Sequence, residues 1–269
     1  MTHHISTVVK AAILFVSICL VVLSPLPVAG SSRQAIGATI TVNTLVDEYD
    51  TSPNSTCSLR EAITSANTDS AFGGCVKGDG TDTIKFLDLP GSPDTFYLTR
   101  IGSGEGANLT GDLNISDHVS IEGVSEEETI IDASGLGDRV VYLITQINVN
   151  LSNLTMQNGH APDGDPGGGG LTAEDGEDGG GIYSSQNDLV LSHVTMAGMR
   201  AGDGGAGYSP AISTETAGDG GPGGNGGAIY AMDSTITIND SNFSENAAGQ
   251  GGDGGAGGTG QDGADGGTG

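Results

Sequence analysis

The chain contains no tryptophan, and aromatic residues make up 4% of its 269 positions. A large aromatic core is therefore excluded. Basic residues are nearly as scarce: eight Lys+Arg stand against 34 Asp+Glu, a net charge of −26. A polyanion of this kind is repelled by nucleic acid and attracts cations, Ca²⁺ above all. Cysteine occurs three times, so a dense disulfide framework is excluded. A helical hydrophobic period is missing from almost the whole length, which excludes helical bundles and helical repeats. Beyond residue 30 no run approaches the ~20 apolar residues that a spanning helix needs.

What is present begins with an export signal. Lys10 gives a positive start, Ala11 to Leu23 is apolar, Pro25 and Pro27 break the run, and Val28-Ala29-Gly30 offers small residues for cleavage. Residues 1–30 therefore read as a signal peptide. Its removal leaves seven basic residues against 34 acids, a charge near −27. Cys19 leaves with it. Cys57 and Cys75, 18 apart, remain and read as one disulfide in an oxidising compartment. No histidine and no zinc spacing accompany them.

Residues 38–46 alternate apolar and polar positions, a strand pattern. One helix follows. Ser58 caps it and Glu61 completes a capping box. Leu59, Ala62, Ile63 and Ala66 form a single apolar stripe that must cover something apolar. Short β-branched runs come next, at 83–87, 95–99, 112–116, 118–122, 129–132 and 139–144, separated by Gly, Asp or Ser.

From residue 147 the chain repeats. Leu151-Ser-Asn-Leu-Thr-Met156 matches Leu191-Ser-His-Val-Thr-Met196, and Ile238 to Phe243 is a looser copy. Gly-Gly-Gly-Ile182-Tyr183 and Gly-Gly-Ala-Ile229-Tyr230 each precede a copy, with Ile nine residues ahead of the first aliphatic. The copies are 40 and 47 residues apart, and the excess length lies in Gly/Asp-rich stretches. Very short strands with inward aliphatics and loops of variable length fit an all-β parallel β-helix, a solenoid with an N-terminal capping segment containing one short α-helix. The cap expectation has a physical motive, since the bare end of such a stack exposes apolar core and unpaired backbone. The expected division is signal 1–30, cap 31–100 and β-helix 101–269.

Cys57-Ser-Leu-Arg-Glu-Ala-Ile63, preceded by Ile40-Thr-Val-Asn-Thr44 and followed by Phe72-Gly-Gly-Cys75 and Asp82-Thr-Ile-Lys-Phe86, resembles the CSLREA domain. The downstream blocks are similar to the right-handed, pectate-lyase-like β-helix region that usually follows it. The resemblance covers roughly residues 38–250, the Gly/Asp stretches being departures. It implies a bacterial exported or cell-surface protein. The family has no assigned catalytic residues, so none is carried over. Its members are usually longer. Here 26 residues follow Phe243, the interval that separates Met156 from Ile182, so the sequence stops where another Ile-Tyr is due and reads as truncated.

Three functions remain open. The first is a non-catalytic, structural or adhesive extracellular protein contacting polysaccharide or other cell-surface components. The second is a polysaccharide lyase or glycoside hydrolase. Within 140–269, however, only Arg200 is basic, with His160 and His193 beside it in type, and the acids nearest to strands are Asp132, Asp188 and Asp240. The third is a Ca²⁺-binding surface-layer or matrix component. Its candidate ligands are Asp163, Asp165, Asp175, Asp178 and Asp253, all in Gly/Asp stretches that lack both the EF-hand loop and the calcium nonapeptide repeat. Those stretches read as solvated loops that associate loosely with Ca²⁺. Asn153, His193 and Asp240 share one repeat position and read as turn or outward-facing residues.

Overall fold

A computed structural model describes residues 37–90, 92–144, 146–168, 172–211, 215–257 and 266–269. The expected signal peptide, residues 1–30, lies outside them. Among the described residues no helix is long and apolar enough to cross a membrane.

The architecture is parallel sheet with one helix. The strands are β1 (Thr39–Val42), β2 (Asp82–Phe86), β3 (Asp94–Tyr97), β4 (Leu113–Ile115), β5 (Val119–Glu122), β6 (Thr129–Asp132) and β7 (Val141–Leu143). They continue with β8 (Asn148–Gln157), β9 (Ile182–Ser185), β10 (Asp188–Ala197), β11 (Ile229–Met232), β12 (Thr235–Asn239) and β13 (Asn242–Ser244). The larger sheet runs β1-β2-β5-β8-β10-β12, with β3-β6 joined to β8 and β13 joined to β10. The smaller runs β4-β7-β9-β11. Every pairing is parallel, and neither sheet closes into a barrel.

Equivalent residues of the repeats stack in register. Leu191 pairs with Leu151 on one side and Ile238 on the other; Met196 lies between Met156 and Phe243. In β10 the buried residues are Leu189 and Leu191, then Val194 and Met196. The alternation slips by one at His193, whose φ is +54°. Asn153 (+55°) and Asp240 (+45°) occupy the same place in the neighbouring repeats. Asn, Asp and His tolerate the left-handed region better than most residues. The three therefore form a column of bends at which β8 and β10 turn and β12 gives way to β13. A second such column is Gln146, Gln186 and Asp233.

β1 ends at Val42, short of the expected 46. The Asn43 amide donates to Cys57 O at 2.9 Å, and its side chain accepts from Cys57 N at 2.7 Å, which draws the chain out of the sheet toward the helix. Helix α1 (Leu59–Thr68) begins at Ser58, whose Oγ accepts from Glu61 N while Glu61 Oε2 accepts from Ser58 N at 3.0 Å. Leu59, Ala62, Ile63 and Ala66 are buried against β1, β2 and β4. Cys57 and Cys75 form a disulfide beside the helix start. Arg60, fully buried, pairs with Asp47 at 2.7 Å and donates to Gly111 O at 2.8 Å, tying the helix to the segment that leads into β4.

In their described residues the Gly/Asp stretches are hydrogen-bonded to one another and are not solvated loops. They leave the sheets between β8 and β9, between β10 and β11, and after β13, and each runs out and returns. The outgoing segments are parallel: Gly164 N donates to Asp203 O and Gly204 N to Gln250 O, both at 2.8 Å. The returning segments are parallel too, with Gly176 N to Pro222 O (2.9 Å) and Gly223 N to Thr268 O (2.7 Å). Antiparallel bonds join the two rows, including Gly205 N to Glu174 O, Gly202 N to Glu177 O, Gly221 N to Gly205 O and Gly252 N to Gly221 O. Donors recur every third residue, the period of a polyproline II chain, which has no internal hydrogen bonds and must find partners in its neighbours. The contact is too close for side chains. A Cβ at Gly205 would lie 2.1 Å from Asp165 O, and one at Gly252 would lie 2.0 Å from Gly205 O. The result is a fin of backbone standing off the corner between the two sheets.

Candidate functional site

The fin and the outer face of the β4-β7-β9-β11 sheet form the two sides of a groove. Register puts Asn114, Tyr142, Tyr183 and Tyr230 in one column of the sheet; the first three line the floor of the groove, and Tyr230 follows Tyr183 on the same face. The Tyr142 and Tyr183 rings stack at 4.9 Å and 1°, and Tyr183 and Tyr230 at 5.3 Å and 29°. These separations follow the strand spacing of about 4.8 Å, so the sheet itself imposes the stack. Asp175, Asp178 and Asn225, from the returning row of the fin, make the wall. Asp178 Oδ1 accepts from the Asn225 backbone and side-chain amides at 2.6 and 3.0 Å. The cavity between floor and wall is about 490 Å³, and one of about 300 Å³ continues it toward Asn114 and Glu105.

Arg139 stands where the two cavities meet. Its guanidinium bridges Asp112 Oδ2 (3.4 Å) and Glu177 Oε2, and it lies 5.7 and 5.6 Å from the Tyr142 and Tyr183 ring centres. Burial pushes the Asp112 carboxyl up to about 7; the neighbouring Asp138 adds to this and Arg139 opposes it. Burial also raises Asp138, against Arg139. Burial works against the charge on Arg139, but Glu177, Asp112 and Asp138 outweigh it and hold the guanidinium charged. Tyr183 is raised by burial and by its neighbours Tyr142, Tyr230 and Asp178. Shifted groups gathered in a cleft mark a candidate site. Chemically, this one offers aromatic edges, carboxylate and amide acceptors, and one arginine already committed to two carboxylates.

The expected Ca²⁺ ligands are dispersed along the fin. Asp163 accepts from Asp203 N at 2.7 Å and faces His160 at 3.3 Å. The Asp165 carbonyl accepts from Glu174 N, and that of Asp253 from Gly207 N. Only Asp175 and Asp178 share the groove. Among the described residues the acidic trio close enough to share a cation is elsewhere: Glu48, Asp50 and Glu61. Its oxygens are engaged, Glu61 accepting from Asp50 N and Ser58 N and Glu48 from Thr56 Oγ1. Of the acids nearest to strands, Asp132 accepts from Gln157 and Asn158, Asp188 opens β10, and Asp240 lies in the column of bends.

Sequence reasoning passed over Arg60, Asp112, Arg139 and the tyrosine column. The tyrosines had a signal: Ile-Tyr recurs after the Gly blocks, and Val141-Tyr142 is the same pair without glycines. Arg139 lies one residue before the repeat region 140–269, in which Arg200 alone is basic. Comparison with protein-family models, curated proteins and solved structures gives no match.

Proposed function

We propose that the two sheets are walls of a right-handed parallel β-helix, closed at its N-terminal end by the CSLREA-like cap, and that the protein is an exported, non-catalytic structural or adhesive component of a cell surface or matrix. The observation that carries this reading is the register: equivalent side chains and fin segments stack repeat on repeat, which suits a rigid displaying rod. Contacts with polysaccharide or other surface components fall on the groove and the fin. The test is incubation of the exported chain with a polysaccharide panel. Retention without new reducing ends or unsaturated products is the expected result; product release defeats the reading.

A second reading, a carbohydrate-active enzyme, is favoured by one observation: Asp112 and Glu177 flank Arg139, and Asp112 is held partly protonated near neutrality. Glycoside hydrolysis uses a pair of carboxyl groups, one of them a proton donor of raised pKa. Under that reading Asp112→Asn abolishes product release. Calcium as a matrix ligand is tested by melting: a cation that binds only the folded state raises its stability.

A further inference from the structure

The tyrosine column has unused chemistry. Among the described residues the hydroxyls of Tyr142, Tyr183 and Tyr230 have no hydrogen-bond partner, whereas Tyr208 donates to Glu215 at 2.6 Å. The rings cover one another's faces, so their edges and hydroxyls front the groove. Three equivalent donor–acceptor groups therefore stand on rings whose centres repeat at 4.9 and 5.3 Å along the stacking direction. A compact ligand meets only one or two of them. A polymer with a similar repeat, lying along the column, meets all three, and Asp178 and Asn225 offer it acceptors and an amide from the wall.

Charge selects among polymers. A polyanion meets Asp175, Glu177 and Asp178 on the wall, and Arg139, the one cation there, is already paired with Asp112 and Glu177. A cationic polymer is drawn to the same carboxylates, an attraction that salt screens, but at the column itself it meets ring edges, where the aromatic quadrupole is positive, and not the stacked faces. Hydroxyl groups suit both the phenols and the acceptors of the wall. We propose that the groove binds an extended strand of uncharged polysaccharide, one sugar hydroxyl to each tyrosine of the column. This deepens the adhesive reading and rests on it.

The experiment is retardation of the exported chain in native gels that contain hydroxyethylcellulose, glycol chitosan or polygalacturonate, at low and high salt. Retardation by the neutral polymer at both salts is expected. The double variant Tyr142→Phe/Tyr183→Phe keeps the ring stack and loses two hydroxyls, so it should bind about tenfold more weakly at unchanged melting temperature. Tyr97→Phe, at an exposed tyrosine outside the groove, should bind as the parent does. No retardation by the neutral polymer, equal retardation of the double variant, or retardation by glycol chitosan alone that salt abolishes would overturn the proposal. If the bound polymer is also cleaved while the double variant still binds weakly, the groove stands and the non-catalytic reading falls.

Discussion

The sheets and the fin solve the same problem by opposite means. Both are stacks of extended chain, and both satisfy backbone groups by pairing neighbouring repeats. In the sheets, side chains interdigitate: Leu189, Leu191, Val194 and Met196 are wholly buried from one strand. In the fin, side chains are excluded and the backbones touch, so stability there comes from hydrogen bonds with little apolar burial. A net hydrogen bond contributes about 1 kcal/mol, and a fully buried aliphatic side chain about 1.5–3. The sheet stack should therefore set the global stability, and the fin should open locally beneath it.

The largest effect belongs to the sheet core. Leu191→Ala, between Leu151 and Ile238, should cost about 2–5 kcal/mol, read from denaturant midpoints. The same change at Ile238, which is 49% exposed in the last stacked repeat, should cost well under half as much. Equal costs would mean that Ile238 is covered in solution. Next is the disulfide beside α1. Replacing Cys57 and Cys75 by Ser should cost about 3 kcal/mol, because the bridge closes a loop of 18 residues. A loss confined to α1 and its flanks, with β8 and β10 still protected from hydrogen exchange, would make the helical segment a separate unit of stability.

The site gives a smaller and pH-dependent effect. Asp112 is 5% exposed, and its folded-state carboxyl is raised to about 7 from an ordinary value of 3.8. Ionising it thus costs more in the folded state. Its contribution is fully present below pH 3.8 and is lost as pH rises through about 7. Asp112→Asn keeps an oxygen for the Asn114 amide, which Asp112 Oδ1 accepts at 2.7 Å. The parent should therefore lose stability relative to this variant between pH 4 and 8, by at most about 4 kcal/mol, as the rise from 3.8 to about 7 spans roughly three pKa units of about 1.4 each. Melting curves across that range check it. A constant difference would mean that Arg139 keeps Asp112 ionised throughout.

The two regions were also unequally legible. Leu151/Leu191/Ile238 and Ile182/Ile229 announce the sheet repeat because side-chain identity is what a buried position selects. Asn153, His193 and Asp240 were readable as turn residues for a related reason: their side chains tolerate the left-handed bend. The fin left no such trace. Its contacts are backbone to backbone and its period is three, so Gly-Asp-Gly-Gly reads as solvated loop although glycines such as Gly205, Gly221 and Gly252 press on fixed neighbours. The groove was half legible. The Ile-Tyr blocks mark Tyr183 and Tyr230, but Tyr142 lacks the glycines and Arg139 meets Glu177 across 38 positions of sequence. Arg60 was hidden inside its own motif, since nothing in a helical stripe foretells a fully buried arginine bound to Asp47 and to the carbonyls before β4.

The smallest global effect, and the sharpest test of the contrast, is Gly252→Ala. The added methyl carbon would fall 2.0 Å from Gly205 O, at a contact where the Gly252 amide itself donates to Gly221 O. Neither carbonyl can move without breaking bonds that run on through Gly205 N to Glu174 O. The outermost fin segments should therefore detach, and the amides of Gly249, Gly252 and Gly267 should lose protection from hydrogen exchange. The amides of β8 and β10 should keep theirs, and the main melting transition should shift by less than about 1 kcal/mol equivalent, because little apolar surface is uncovered. Should β8 and β10 lose protection together with the fin, backbone packing at the corner would be part of the cooperative core, and the division between a side-chain-built stack and a backbone-built fin would have to be abandoned.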